Sequence, residues 1–220
     1  MIAFKKNAFK EKIRQLGLEK DISELNYTEK LKIYKLKCKS FNEIKEISEF
    51  PGIKKISFFP KYYADMPNIE KIEKELPDLP LPEDGENYPI IGLIDSGIKK
   101  NHRYLEPWII GREEFIAPEY QNNKHGTFVA GIIQYGSFLN NFSNIKQQFK
   151  ILDIVALPNE DENYGKTDGL AEYQLIEILS KVIPKYCEKV KIWNLSLGTN
   201  KICSDTISDL ATMLDNIQDE

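Results

Sequence analysis

The chain is poor in the residues that mark several protein classes. Only three of its 220 residues are cysteine, Cys38, Cys187 and Cys203, an odd number at unrelated spacings. Disulfide frameworks and zinc sites need paired or clustered thiols, so neither is expected and the cysteines read as reduced core thiols. No apolar run approaches the roughly 18 residues of a membrane-spanning helix, and Met1 to Lys10 lacks the apolar centre of a signal peptide. The expectation is a cytoplasmic protein with no membrane partner. Arginine is scarce, since 27 of the 30 cations are lysine, and no arginine cluster or aromatic–basic motif is present to read bases. Nucleic acid is therefore not expected as a partner. No Gly-x-Gly-x-x-Gly or P-loop string follows an apolar run, which speaks against a nucleotide-binding domain.

What remains is a globular composition, with 41% hydrophobic and 29% charged residues. That balance supports a buried core and excludes disordered and fibrous classes. The length exceeds one typical domain and predicts a main domain with a smaller module. The formal net charge of −4 is unevenly spread: residues 1–60 hold 14 Lys+Arg against 8 Asp+Glu, the rest 16 against 26. A basic module and an acidic domain attract each other.

Three segments follow from patterning. Residues 1–60 read as a small α+β module: a strand at Met1 to Lys5, a helix at Ala8 to Leu18, a strand ending at Cys38, a helix capped by Ser40 or Asn42, and a strand at Ile53 to Phe59. That order is ferredoxin-like. Residues 61–88 are rich in proline and acid and read as an extended linker, with at most a short helix at Ile69 to Leu76. From residue 89, the apolar runs Pro89 to Ile94, Ile151 to Leu157 and Val190 to Leu197 look like strands buried on both faces. Amphipathic stretches lie between and after them: Leu175, Leu179, Val182 and Tyr186, then Ile207, Leu210, Leu214 and Ile217. Pro184 ends or kinks the first. Strands alternating with helices predict a doubly wound, mostly parallel α/β sheet.

In such a sheet, functional groups gather beyond the carboxyl ends of the strands. The first strand runs into Asp95, Ser96 and Gly97, an acid directly after a buried run; taken alone, an Asp in that place is more often a turn or cap residue than a functional one. A polar loop leads into His125 at the start of a helix, followed by the small residues Gly126, Ala130 and Gly131.

These residues also carry a resemblance. The string His125, Gly126, Thr127, Val129, Ala130, Gly131 resembles the histidine motif of the subtilisin-like serine proteases, and Ile94 to Gly97 resembles their aspartate motif. Six fixed positions match by chance on the order of 10⁻⁷ per window. A third block, Ile192 to Gly198, is similar to the strand that pairs with substrate in that family. The order Asp95, His125, Ser196 agrees as well, and the resemblance covers roughly residues 88–220. It implies a serine endopeptidase in which Asp95 orients His125 and His125 takes the proton of a serine attacking a peptide carbonyl. It further implies that Ser196, Leu197 and Gly198 bind polypeptide substrate as an added strand. His102 would be structural. Phe50 to Ile56 is similar to the end of subtilase propeptides, which implies an amino-terminal module acting on its own catalytic domain.

Other points of the resemblance stay open or are unmatched. The family's Gly-Thr-Ser-x-Ala and Ala-Gly-Asn strings do not occur in these 220 residues. The nucleophile is therefore expected outside them, the stretch reads as the first half of a catalytic domain at 89–220, and by itself it is expected to be inactive. The alternative is a non-catalytic protein-binding module on the same scaffold. No cofactor is implied, and no metal ligand is assigned: calcium sites are common in exported members of the family, and the acidic loop with Asp161, Glu162 and Asp168 reads as well as solvated surface as it does as such a site. The phrases at 152–162 and 193–199 resemble subtilases encoded beside AAA-type ATPases, which makes such an ATPase an expected partner.

Overall fold

The computed structural model describes residues 2–27, 32–64, 77–142, 148–158, 169–199 and 207–219. The expected helix at 69–76 and the acidic loop residues Asp161, Glu162 and Asp168 lie outside them. Two compact units are present: residues 1–59 with 205–220, and residues 60–204.

The first unit begins with helix α1 (Ile2–Gln15), strands β1 (Ile22–Asn26) and β2 (Lys32–Leu36), and helix α2 (Phe41–Ser48). Phe9 and Ile13, one helical turn apart on α1, are buried with Leu18 and with Ile47 of α2. The Phe9 ring lies 5.1 Å from that of Tyr34 and 5.5 Å from that of Phe50. Ser40 caps α2: its Oγ accepts the Glu43 N–H while the Glu43 carboxylate accepts the Ser40 N–H, a reciprocal arrangement contributing about 1 kcal/mol.

This differs from the expected ferredoxin-like order. Residues 2–5 open a helix because their short alternation is outweighed by Ala3, Lys5, Lys6 and Ala8, good helix formers with no breaker before Gly17. Residues 53–59 run without strand pairing, and Ile56 and Phe58 are exposed. β1 was hidden by its half-polar sequence Ile-Ser-Glu-Leu-Asn and pairs antiparallel with β2, Ile22 opposite Leu36. Among the described residues this unit therefore holds a two-stranded sheet.

The second unit holds β3 (Lys61–Tyr63), β4 (Ile90–Asp95), β5 (Ile109–Glu114), α3 (Lys124–Leu139), β6 (Lys150–Val155), β7 (Leu170–Ala171), α4 (Glu172–Tyr186), β8 (Val190–Asn194) and β9 (Gly198–Thr199). Helix α5 (Asp209–Asp219) follows and groups with the first unit. β4, β5, β6 and β8 form one parallel sheet in the order β5-β6-β4-β8, the α/β architecture expected from the apolar runs. Leu93, Ile94, Ile151 and Ile154 on the two central strands are completely buried, each contributing about 2 kcal/mol. Helix α3 lays Val129, Ala130 and Tyr135 against Leu93, Ile151 and Trp108, and the Trp108 indole N–H donates to the Tyr135 hydroxyl at 2.9 Å. Helix α4 buries Leu175, Ile176, Leu179 and Val182 and runs through Pro184 to Tyr186 without ending there.

In this unit β3, β5 and the two-residue β7 depart from the expectation. β5 is an edge strand whose outer half, Arg112, Glu113 and Glu114, is too polar to read as an apolar run. β3 lies inside the segment expected to be a linker. It is the middle strand of a second, antiparallel sheet, with Tyr62 opposite Leu170 of β7 on one side and Tyr63 opposite Gly198 of β9 on the other. The prolines flank this strand, and the Pro60 carbonyl still accepts the Glu172 N–H at 2.9 Å. Further on, Leu79 and Tyr88 pack against the core around Trp108. Among the described residues no helix is long and apolar enough to cross a membrane.

Candidate active site

β4 is where the sheet order reverses: the chain moves to β5 and β6 on one side of it and later to β8 on the other. The carboxyl end of such a strand opens onto a crevice. Asp95 is its last residue and is fully buried. His125, the second residue of α3, is brought beside it although 30 positions separate them, with Nδ1 2.7 Å from Asp95 Oδ1. A carboxylate in this role only accepts, so the imidazole Nδ1–H donates and Nε2 is left as the basic nitrogen. Asp95 Oδ1 also accepts the Ser96 N–H at 2.6 Å, whereas Oδ2 is buried with no hydrogen-bond partner among the described residues.

Helix α3 is brought close by its small residues. The turn after Asp95 needs Gly97, whose φ is +92°, a conformation that L side chains rarely adopt. A Cβ on Gly126 would come within 2.8 Å of the Gly97 backbone nitrogen, so glycine there lets the helix start touch the turn. Ser96 fastens the contact: its Oγ accepts the Gly126 N–H at 3.1 Å, and its carbonyl accepts from the Asn123 side-chain amide at 2.7 Å. Asn123 stands before the helix without capping it. Lys99 N–H donates to Thr127 Oγ1 at 2.8 Å and closes the loop from the other end.

Ser196 and Leu197 lie between β8 and β9, half-buried, and Ser196 Oγ donates to Asn194 Oδ1 at 2.8 Å. Gly198 is in β9, paired with Tyr63. His102 accepts the Leu105 N–H through Nδ1 at 3.3 Å and stabilises a turn. Among the described residues no cluster of three or more His, Cys, Asp or Glu side chains could hold a metal ion.

Sequence reasoning passed over Asp153 and Arg112. Asp153, in the middle of β6, is fully buried; it accepts the Ile98 N–H at 3.1 Å and lies 3.2 Å from the Arg112 guanidinium. Burial pushes its carboxyl up from the ordinary 3.8 to about 6, against the Arg112 charge and the Ile98 N–H, which favour ionisation. The available signal was an acid in the run Ile151 to Leu157, where a strand buried on both faces carries none without a reason.

A buried carboxylate–imidazole couple beyond a strand end can hold the ring in one tautomer and leave Nε2 able to take up a proton. Residues 86–220 match the model of the Subtilase family, more than half of the chain. The chain belongs to that family, and its function is of the serine-protease type. No curated protein and no solved structure matches it.

Proposed function

We propose that Asp95 and His125 are the acid and base of an Asp–His–Ser triad that hydrolyses peptide bonds. The observation that carries this is the buried 2.7 Å contact between His125 Nδ1 and Asp95 Oδ1. It fixes the tautomer in which Nε2 removes the proton of a serine hydroxyl as that oxygen attacks the carbonyl carbon. The same nitrogen then delivers the proton to the leaving amine, and Asp95 stabilises the transient imidazolium. No Gly-Thr-Ser-x-Ala string occurs in these 220 residues, so the hydroxyl is supplied from outside them and this stretch alone is inactive.

Substrate would lie along Ser196, Leu197 and Gly198 as an added strand. In support, residues of the chain itself occupy such a position: Tyr62 and Tyr63 pair antiparallel with Thr199 and Gly198, with β7 on the far side. Tyr62 is buried there, its hydroxyl 3.1 Å from the buried carboxylate of Glu172. We read residues 1–60 as an inhibitory module, residues 61–88 as the connection that is cut, and residues 89–220 as catalytic scaffold. A cytoplasmic location and an AAA-type ATPase partner belong to the same proposal.

The test is the full-length protein with His125→Ala, expected to lose both peptide hydrolysis and self-cleavage between residues 60 and 88. Retained turnover would overturn the assignment of the base. A second reading, a polypeptide-binding module without catalysis, draws on the missing serine string. It predicts a full-length protein that binds extended peptides and cuts none.

A further inference from the structure

We propose that Arg112 and Asp153 are positioning residues, a buried clamp that holds Asp95 in register with His125 by gripping both backbone polar groups of Ile98. Ile98 is fully buried three residues after Asp95, at the end of the turn through Ser96 and Gly97. Its N–H donates to Asp153 Oδ2 at 3.1 Å, and its carbonyl accepts from Arg112 Nη2 at 2.7 Å. The two side chains meet each other at 3.2 Å, so the Ile98 backbone, the guanidinium and the carboxylate form one closed set of contacts. They come from two adjacent strands, β5 and β6, whereas the turn they hold belongs to β4.

The mechanical consequence follows from what the turn carries. Asp95 Oδ1 takes two bonds, from His125 and from the Ser96 N–H, so its direction depends on the orientation of the Ser96 peptide. Helix α3 holds Ser96 from one side, Asn123 donating to its carbonyl and the Gly126 N–H to its hydroxyl. The bond from Lys99 N–H to Thr127 comes from the same helix, so without a hold at Ile98 the turn is tied on the α3 side alone and could pivot about Gly97, the most permissive residue in it. Asp95 Oδ2, which has no protein partner among the described residues, offers no resistance to rotation of the carboxylate. The clamp supplies the missing hold.

The cost of this arrangement argues that it serves more than packing. A fully buried carboxylate and a guanidinium whose side chain is 16% exposed each lose hydration worth several kcal/mol, a cost that an apolar pair of similar volume would not incur. Asp153 Oδ1 has no hydrogen-bond partner among the described residues, a further expense. The charged groups facing the pair are Asp95 from β4 and Glu114 from β5. Glu114 lies 2.9 Å from the Arg112 Nε and is shared with Lys100. Arg112 thus has a carboxylate on each side, and the hydrogen bonds of the pair to uncharged partners converge on the backbone of Ile98.

The inference rests on Asp95 and His125 being the working pair, but its test needs no proteolysis. The chain holds only two histidines, His102 and His125, so imidazole-labelled protein gives a spectrum with two assignable rings. The Nδ1 proton of His125 is read as a downfield exchangeable resonance, and its exchange with water is timed. In Arg112→Met and Asp153→Ala, loss of one hold is expected to speed that exchange about tenfold and move the resonance upfield. Arg112→Lys, which keeps one donor, is expected to fall between. A role confined to fold stability would lower the thermal midpoint while leaving shift and exchange as in the unmutated chain, and that result overturns the proposal. Should Arg112→Met not fold, Asp153→Ala removes the hold on the Ile98 N–H by itself, and exchange unchanged in it overturns the clamp equally. If the resonance responds as expected while the full-length protein cuts no peptide, the clamp stands and the proteolytic reading falls.

Discussion

Asp153→Asn separates the cost of a buried charge from everything else in the second unit. In the folded chain the Asp153 carboxyl is pushed up to about 6 from its ordinary 3.8. Between those values the folded state holds a proton that the unfolded state has released, so stability falls as pH rises across the interval. A difference of about two pKa units at 1.36 kcal/mol each gives roughly 3 kcal/mol, accumulated between about pH 4 and 6 and constant above pH 7. Asparagine cannot ionise and pays none of it. The stability of the variant relative to the unmutated chain should therefore climb by roughly 3 kcal/mol from pH 4 to pH 7, whatever constant offset the exchange of a protonated carboxyl for an amide adds. Urea unfolding at constant ionic strength measures this. Tryptophan fluorescence confines the signal to residues 60–204, because both tryptophans, Trp108 and Trp193, lie there. Other carboxyls titrate alike in the two proteins and cancel in the difference. Stability curves that run parallel with pH would mean that Asp153 titrates normally, and the account of its burial would be wrong.

Two further substitutions test contacts around the site. Gly126→Ala places a Cβ within 2.8 Å of the Gly97 backbone nitrogen, and the same fluorescence assay should show a loss of about 1–3 kcal/mol; no loss would mean that the helix start and the turn are not in contact. Tyr62→Phe removes the hydroxyl that meets buried Glu172 and should cost about 1–2 kcal/mol in residues 60–204. The cost should vanish in a Glu172→Leu background, which has no acceptor for the hydroxyl, if that contact is its source.

What could be read from the sequence depended on whether the information was local. Asp95 and His125 were legible because each sits in a contiguous string with its own supporting residues: Gly97 permits the turn, and Gly126 admits the helix. The central strands β4 and β6 were legible because burial on both faces leaves an unbroken apolar run. β5 was not, because an edge strand needs apolar residues along only part of its length. β3 was not, because a three-residue strand draws its stability from two partners more than a hundred positions away, and nothing in Lys61-Tyr62-Tyr63 announces them. The Arg112–Asp153 pair combines both difficulties. Its acid sits in a legible strand and its base in an illegible one, so the acid alone looked like an interruption. Only the parallel register, with Arg112 opposite Asp153 and Leu93 opposite Asp153 on the other side, puts the pair beneath the turn that carries Asp95. The strand hardest to read therefore supplies the cation on which the orientation of the most readable residue depends.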